Sequence, residues 1–209
     1  EAFAVYERLE ADDPKAGSYA HDHLLAMEDR ANVFRLRGEQ YALLAAAQPD
    51  LAVEHQDSAR RWKLEAVHVL ELAVEKGQRS FNADEANVMY ARRLALILAQ
   101  LGRSYESLSR YTEAEAAYER SIELRDVLVA TDPTNQHFND AVVGWYRLGS
   151  LRELEAGDSD ARGLRAALDA YTRAREFVQR QLDAGVQPDN THLKSVEAQI
   201  DAVRRRISS

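Results

Sequence analysis

The chain has 209 residues, 45% hydrophobic and 30% charged, the composition of a folded rather than a disordered protein. Its net charge of −8 speaks against a nucleic-acid protein, which needs a basic footprint, and the absence of cysteine excludes disulfide staples and thiol chemistry. Nine glycines and four prolines are too few for the turns of a sandwich or barrel. The periodic stretches are rich in strong helix formers (Ala, Leu, Glu, Arg, Gln), which predicts an all-α chain. No apolar run approaches the ~18–20 residues that span a bilayer, and no secretory signal pattern is present. The expectation is a cytoplasmic protein with no membrane and no nucleic-acid partner.

In chain order, the first helix runs to about residue 11 and stops at Asp12-Asp13-Pro14, because the residue before proline avoids helical geometry. A long helix over 18–47 follows, with Gly38 as a candidate break. Another covers 51–76 and closes on Gly77 as a left-handed cap. The next runs over 84–108, and a tight turn at Ser109-Arg110 leads into a helix over 111–130, stopped by Thr131-Asp132-Pro133. Thr134 caps a helix that ends near Ala156, and Gly157-Asp158-Ser159-Asp160 is a loop by composition. A helix over 161–184 ends at Gly185-Val186-Gln187-Pro188. Asp189 or Asn190 caps the last one, which reaches the C-terminus.

Two of these helix pairs share a pattern. Leu98-x-x-Leu101-Gly102-x-x-Tyr105 is followed by Ala114-x-x-x-Tyr118, and Trp145-x-x-Leu148-Gly149 by Ala167-x-x-x-Tyr171-x-x-Ala174. Large residues recur one turn apart, with glycine and alanine where two helices must approach closely. In order and spacing this resembles the W-x₂-L-G-x₂-Y…A-x₃-F signature of the tetratricopeptide repeat, in its long-unit variety. The resemblance covers about residues 95–175. It extends to 1–14, where Ala2-x-x-x-Tyr6 and Asp13-Pro14 match the closing helix of a unit. No Leu-Gly-x-x-Tyr core occurs in 18–80, which is expected to be a divergent helical pair.

The resemblance implies a right-handed α-solenoid of about eight antiparallel helices in a single domain. Its parts are a truncated repeat (1–14), the divergent pair (18–80), one repeat over 84–133, a second over 134–188 and a capping helix over 189–209. Gly102 and Gly149 stand 47 residues apart, against about 34 in the standard unit. The helix after Tyr111 is expected to run on to Pro133, about two turns past the usual stop, and the second copy carries a further insertion of six residues before Ala167, expected in the loop around 157–163.

Arrays of this kind are found beside kinase, cyclase or protease domains of multidomain bacterial regulators. The implied function is therefore a non-enzymatic protein- or peptide-binding module of a larger signalling protein, with no cofactor and no metal. First helices line the concave side of such an array, so Arg93, Gln100, Arg103 and Glu106 from one unit and Tyr146, Arg147 and Ser150 from the next are the candidate partner-binding residues. A carboxylate clamp is not expected, because its positions hold Ala99, Arg103, Tyr146 and Ser150. The alternative is a structural spacer or oligomerisation domain.

A third reading, a helical metalloprotein, would build on Glu65-x-x-His68, but a di-iron bundle needs two such pairs and further glutamates. His21-Asp22-His23 reads as a polar helix start, and Arg204-Arg205-Arg206 as cations facing the negative end of the last helix dipole.

Some expectations concern packing and the chain ends. Trp145 should be buried between helices, and Gly102 and Gly149 should tolerate Ala but not Leu. The stripe Leu193, Val196, Ile200, Val203 and Ile207 makes the last helix a cap for the array. The chain opens on Glu1, and its first helix carries Phe3, Val5, Tyr6 and Leu9 around much of its circumference. That predicts a fragment severed from a longer protein, whose N-terminal helix is covered by upstream repeats or by self-association.

Overall fold

Short polar side chains open three helices of this protein. The Asn87 carboxamide accepts hydrogen bonds from the Met89 and Tyr90 amides, the Thr134 hydroxyl accepts from His137 N, and the Asp160 carboxylate from Arg162 N. The structure, a computed structural model, describes Val5, Arg8 and residues 17–131, 133–185 and 190–208. It contains α1 Gly17–Ala47, a 3₁₀ turn Pro49–Leu51, α2 Ala52–Ala83, α3 Val88–Glu106, α4 Tyr111–Thr131, α5 Asn135–Ala156, α6 Ala161–Asp183 and α7 Asn190–Ser208. No strand occurs among the described residues. Of the expected helix over 1–11 only Val5 and Arg8 lie among them, both helical; Phe3, Tyr6 and Leu9 lie outside.

The chain is all-α, and its helices form two compact units, one ending at Arg110 and one beginning at Tyr111. The division falls within the stretch read from sequence as one repeat, 84–133. In each unit a helix packs on its sequence neighbours, the organisation of an α-solenoid: α1 on α2 and α2 on α3 in the first, α4 on α5, α5 on α6 and α6 on α7 in the second. Leu24 and Met27 of α1, Leu70 of α2 and Leu94 and Ile97 of α3 fill the first core. In the second, Phe138 of α5, Tyr171 and Phe177 of α6 and Ile200 of α7 belong to one buried cluster. Val196, Ile200 and Val203 are buried, so the last helix packs through the apolar stripe read from its sequence.

Two glycines act differently from their sequence reading. Gly38 does not break α1, which continues to Ala47. A Cβ there would stand 3.0 Å from the Lys63 stem and 3.2 Å from the Ala59 carbonyl, so glycine permits close approach of α1 and α2. Gly77 does not cap α2, which runs on to Ala83; it is buried against Leu94, with Leu24 close by. The next helix accordingly begins at Val88, four residues later than expected, with Asn87 as its cap.

The turn after α3 closes with Arg110 N bonded to Tyr105 O and Ser109 N to Glu106 O, while Ser109 adopts φ 58°. This is the Schellman pattern, with serine in the left-handed position that glycine usually takes.

The six-residue excess of the second repeat does not enlarge the loop. The connections 107–110 and 157–160 are both four residues long. Instead α5 extends seven residues past Gly149 where α3 extends four past Gly102, and α6 starts six residues before Ala167 where α4 starts three before Ala114. Equal extension of both arms lets α5 and α6 end together.

Within that pair Gly149 faces the Tyr171 ring, and an added Cβ would lie 2.8 Å from two ring carbons. Tyr171 is fully buried and its hydroxyl donates to Glu153, so the ring has nowhere to move. The expected tolerance of alanine at 149 is therefore wrong. Trp145 is only half-buried, at the edge of the cluster rather than enclosed between helices. Its buried indole Nε1 has no hydrogen-bond partner, as has Asp126 Oδ1. Burial raises the Asp126 pKa.

Gly149→Ala is expected to lose about 1–3 kcal/mol to overpacking, although Gly→Ala inside a helix ordinarily gains up to about 1 kcal/mol. Urea denaturation measures it; an unchanged or raised midpoint would contradict the contact.

Candidate partner-binding site

The candidate residues divide between the two units: Arg93, Gln100, Arg103 and Glu106 on α3, and Tyr146, Arg147 and Ser150 on α5.

Arg93 is engaged inside its unit. One guanidinium nitrogen donates to Glu28 Oε2 at 2.7 Å, and another lies 3.3 Å from His21 Nε2. The Arg93 side chain is 15% exposed and that of Glu28 7%. The expectation that Arg93 projects toward a partner is corrected: it neutralises a buried carboxylate of α1. Burial pushes the Glu28 carboxyl above its ordinary pKa and Arg93 pulls it part of the way back. Glu28 Oε1 is buried without a partner.

Gln100 and Arg103 line a cleft of about 210 Å³, with Glu28, Asp29, Asn32 and Arg35 of α1, Leu70 of α2 and Ser104. Its groups are held in place. Arg35 donates to Glu39 at 2.5 Å and to Asn32 Oδ1 at 2.7 Å, and the Ser104 hydroxyl donates to Gln100 O at 3.0 Å. The cleft therefore offers carboxylates, amides and guanidinium groups together. Glu106 is half-buried and does not line it. The α1 contributors were missed because residues 18–80 lack a signature to set the register. The signal available was helical spacing: Glu28, Asn32 and Arg35 share a face beside the buried stripe Leu24, Met27 and Ala31.

In the second unit Tyr146 packs its ring on Tyr171, centroids 5.3 Å apart and tilted by 58°. Tyr171 donates to Glu153 at 2.8 Å, and burial together with that carboxylate pushes its phenol above the ordinary pKa. Arg206 binds Glu153, Asp158 and the Gly157 carbonyl. It thus ties α7 to the end of α5, a tertiary role that the helix-dipole reading of these arginines did not foresee. Arg147 is half-buried and Ser150 exposed.

Glu65 and His68 are both exposed on α2. His21 meets Arg93 while His23 is buried, so the pair does not act as one chelate. Among the described residues no group of three or more His, Cys, Asp or Glu forms a metal cluster, and no helix is long and apolar enough to cross a membrane.

No protein-family model matches the chain, and no curated protein matches it. Among solved structures it is similar to the crystal structure of a de novo designed helical repeat protein, DHR64, at 16% identity and TM-score 0.44, covering 88% of this chain and 97% of that one. It is also similar to the DHF58 filament, at 13% identity and TM-score 0.43, covering 99% of this chain and 91% of that one.

Arg93→Ala is expected to cost about 3–5 kcal/mol at neutral pH, because it leaves the Glu28 charge buried and unpaired. With its folded-state pKa raised, Glu28 is accommodated when protonated, and that stability is lost as pH rises through the folded pKa. The deficit should therefore shrink in acid. Urea titrations of both proteins from neutral to mildly acidic pH check this; a deficit that grows in acid would refute the pairing.

Proposed function

We propose that this chain is a non-enzymatic interaction module that binds a protein or peptide through the polar cleft of its first unit. The observation that carries the reading is the convergence of Gln100 and Arg103, expected from sequence to face a partner, with Asp29, Asn32 and Arg35 of α1 around one cleft. Opposite charges around one cleft suit a polypeptide whose backbone and side chains offer both donors and acceptors. Tyr146, Arg147 and Ser150 are proposed as further contact residues, with Tyr146 rigid against Tyr171. The likeness of residues 95–175 to arrays of bacterial regulators supports a place in a larger cytoplasmic signalling protein.

A second reading, assembly through self-association, is favoured by one observation. Leu25, Leu36 and Leu43 of α1, spaced eleven and seven residues apart, form a stripe that is 41%, 49% and 72% exposed.

A photo-crosslinking amino acid at position 103 of the full chain, expressed in its native cells, separates the two readings. A discrete adduct with a different protein, lost on Asp29→Lys, is expected. An adduct only between copies of this chain, lost on Leu36→Glu with Leu43→Glu, would favour assembly; no adduct at all would overturn the cleft.

A further inference from the structure

A second cleft, separate from the one above, opens where the end of α1, the beginning of α2 and the turn after α3 meet. Its volume is about 550 Å³, within the range of about 300–1,000 Å³ typical of ligand pockets. Ala42, Ala45, Ala46 and Ala59 contribute small side chains, and Leu64, 44% exposed, and Leu108 add apolar surface. Around them stand Arg60, Lys63 and Arg110, and among the lining residues there is no carboxylate. In a chain of net charge −8, a cleft whose charged lining residues are all cations marks a local reversal of charge.

Two of the cations are positioned by the backbone. Gly38 lets the Lys63 stem lie against α1, and the Lys63 ammonium donates to Ser107 O at 2.9 Å, which leaves two of its three N–H bonds for another acceptor. The left-handed Ser109 returns the Arg110 amide to Tyr105 O, and the Arg110 guanidinium lies 4.4 Å from the centre of the Tyr105 ring. Arg60 is exposed, and no carboxylate among the described residues pairs with it. Apolar floor and cationic rim together call for an occupant with the opposite rim.

We propose that this cleft docks an acidic segment of a partner protein, seating bulky aliphatic side chains on the alanines and its carboxylates against Arg60 and Lys63. The reading does not depend on the polar cleft of Gln100 and Arg103.

The test is a ¹⁵N-correlation titration of the full chain with an acetylated hexapeptide of two leucines flanked on each side by two acidic residues. Amide shifts confined to Ala42, Ala46, Leu64 and Ser107 are expected, saturating at millimolar peptide and weakening with salt. Arg60→Glu, at an exposed position, should raise the apparent Kd about tenfold, the equivalent of about 1.4 kcal/mol. Ala46→Trp, which fills the cleft, should abolish the shifts while the rest of the spectrum stays folded. Equal binding of the peptide with lysines in place of its acids would overturn the proposal. So would shifts with octanoate but none with the peptide, which would assign the cleft to a small amphiphile. A dimer of this chain that Arg60→Glu dissociates would assign it to a second copy and equally overturn the proposal.

Discussion

At three helix contacts of this protein, one helix turns a glycine toward a larger side chain of the other: Gly38 under the Lys63 stem, Gly77 under Leu94, Gly149 under the Tyr171 ring. Glycine inside a helix costs up to about 1 kcal/mol relative to alanine, so its use there requires a return in packing. The return is proximity. With no Cβ at 149, the Tyr171 ring lies flush on α5, its hydroxyl reaches Glu153, and Arg206 joins the same carboxylate from α7. In the first unit the same device seats Lys63 over α1 and lets α3 press on α2, and the polar cleft forms between those helices.

That dual use of glycine explains what the sequence told and what it hid. At Gly149 the preceding Trp145-x-x-Leu148 gave the register, and the contact with α6 was legible in advance. At Gly38 and Gly77 no signature surrounded the residue, and a glycine that punctuates a helix looks the same in sequence as one that admits a neighbour. The helix bounds shifted accordingly, α2 running to Ala83 and α3 waiting for Asn87. The extra residues of the second repeat were visible, but their placement was not. A loop and two longer helix arms add the same number of residues, and only the pairing of α5 with α6 distinguishes them.

The candidate site was legible to the same degree. Helical periodicity put Gln100 and Arg103 on a face of α3 away from the core, where they line the cleft. Periodicity also put Arg93 there, since it reports a direction and not what stands in that direction. Glu28 stands there, on a helix whose register lacked a signature, and it turns the arginine into an internal counter-ion. The residues α1 contributes, and the cations gathered at the end of the first unit, depend on contacts between elements far apart in sequence. The first unit is the chemically richer of the two as a result: one cleft presents both charges, the other presents cations around alanines. In the second unit, the polar groups described around Tyr171 serve mainly to hold helices together.

If close approach at glycine organises the packing, Gly149 and Tyr171 must be energetically coupled, and a double-mutant cycle measures that coupling directly. Gly149→Ala should be costly beside Tyr171 and much less so in a Tyr171→Leu background, with an interaction energy of about 1 kcal/mol or more. Strictly additive losses would mean that the glycine is not there to admit the ring, and would contradict the account.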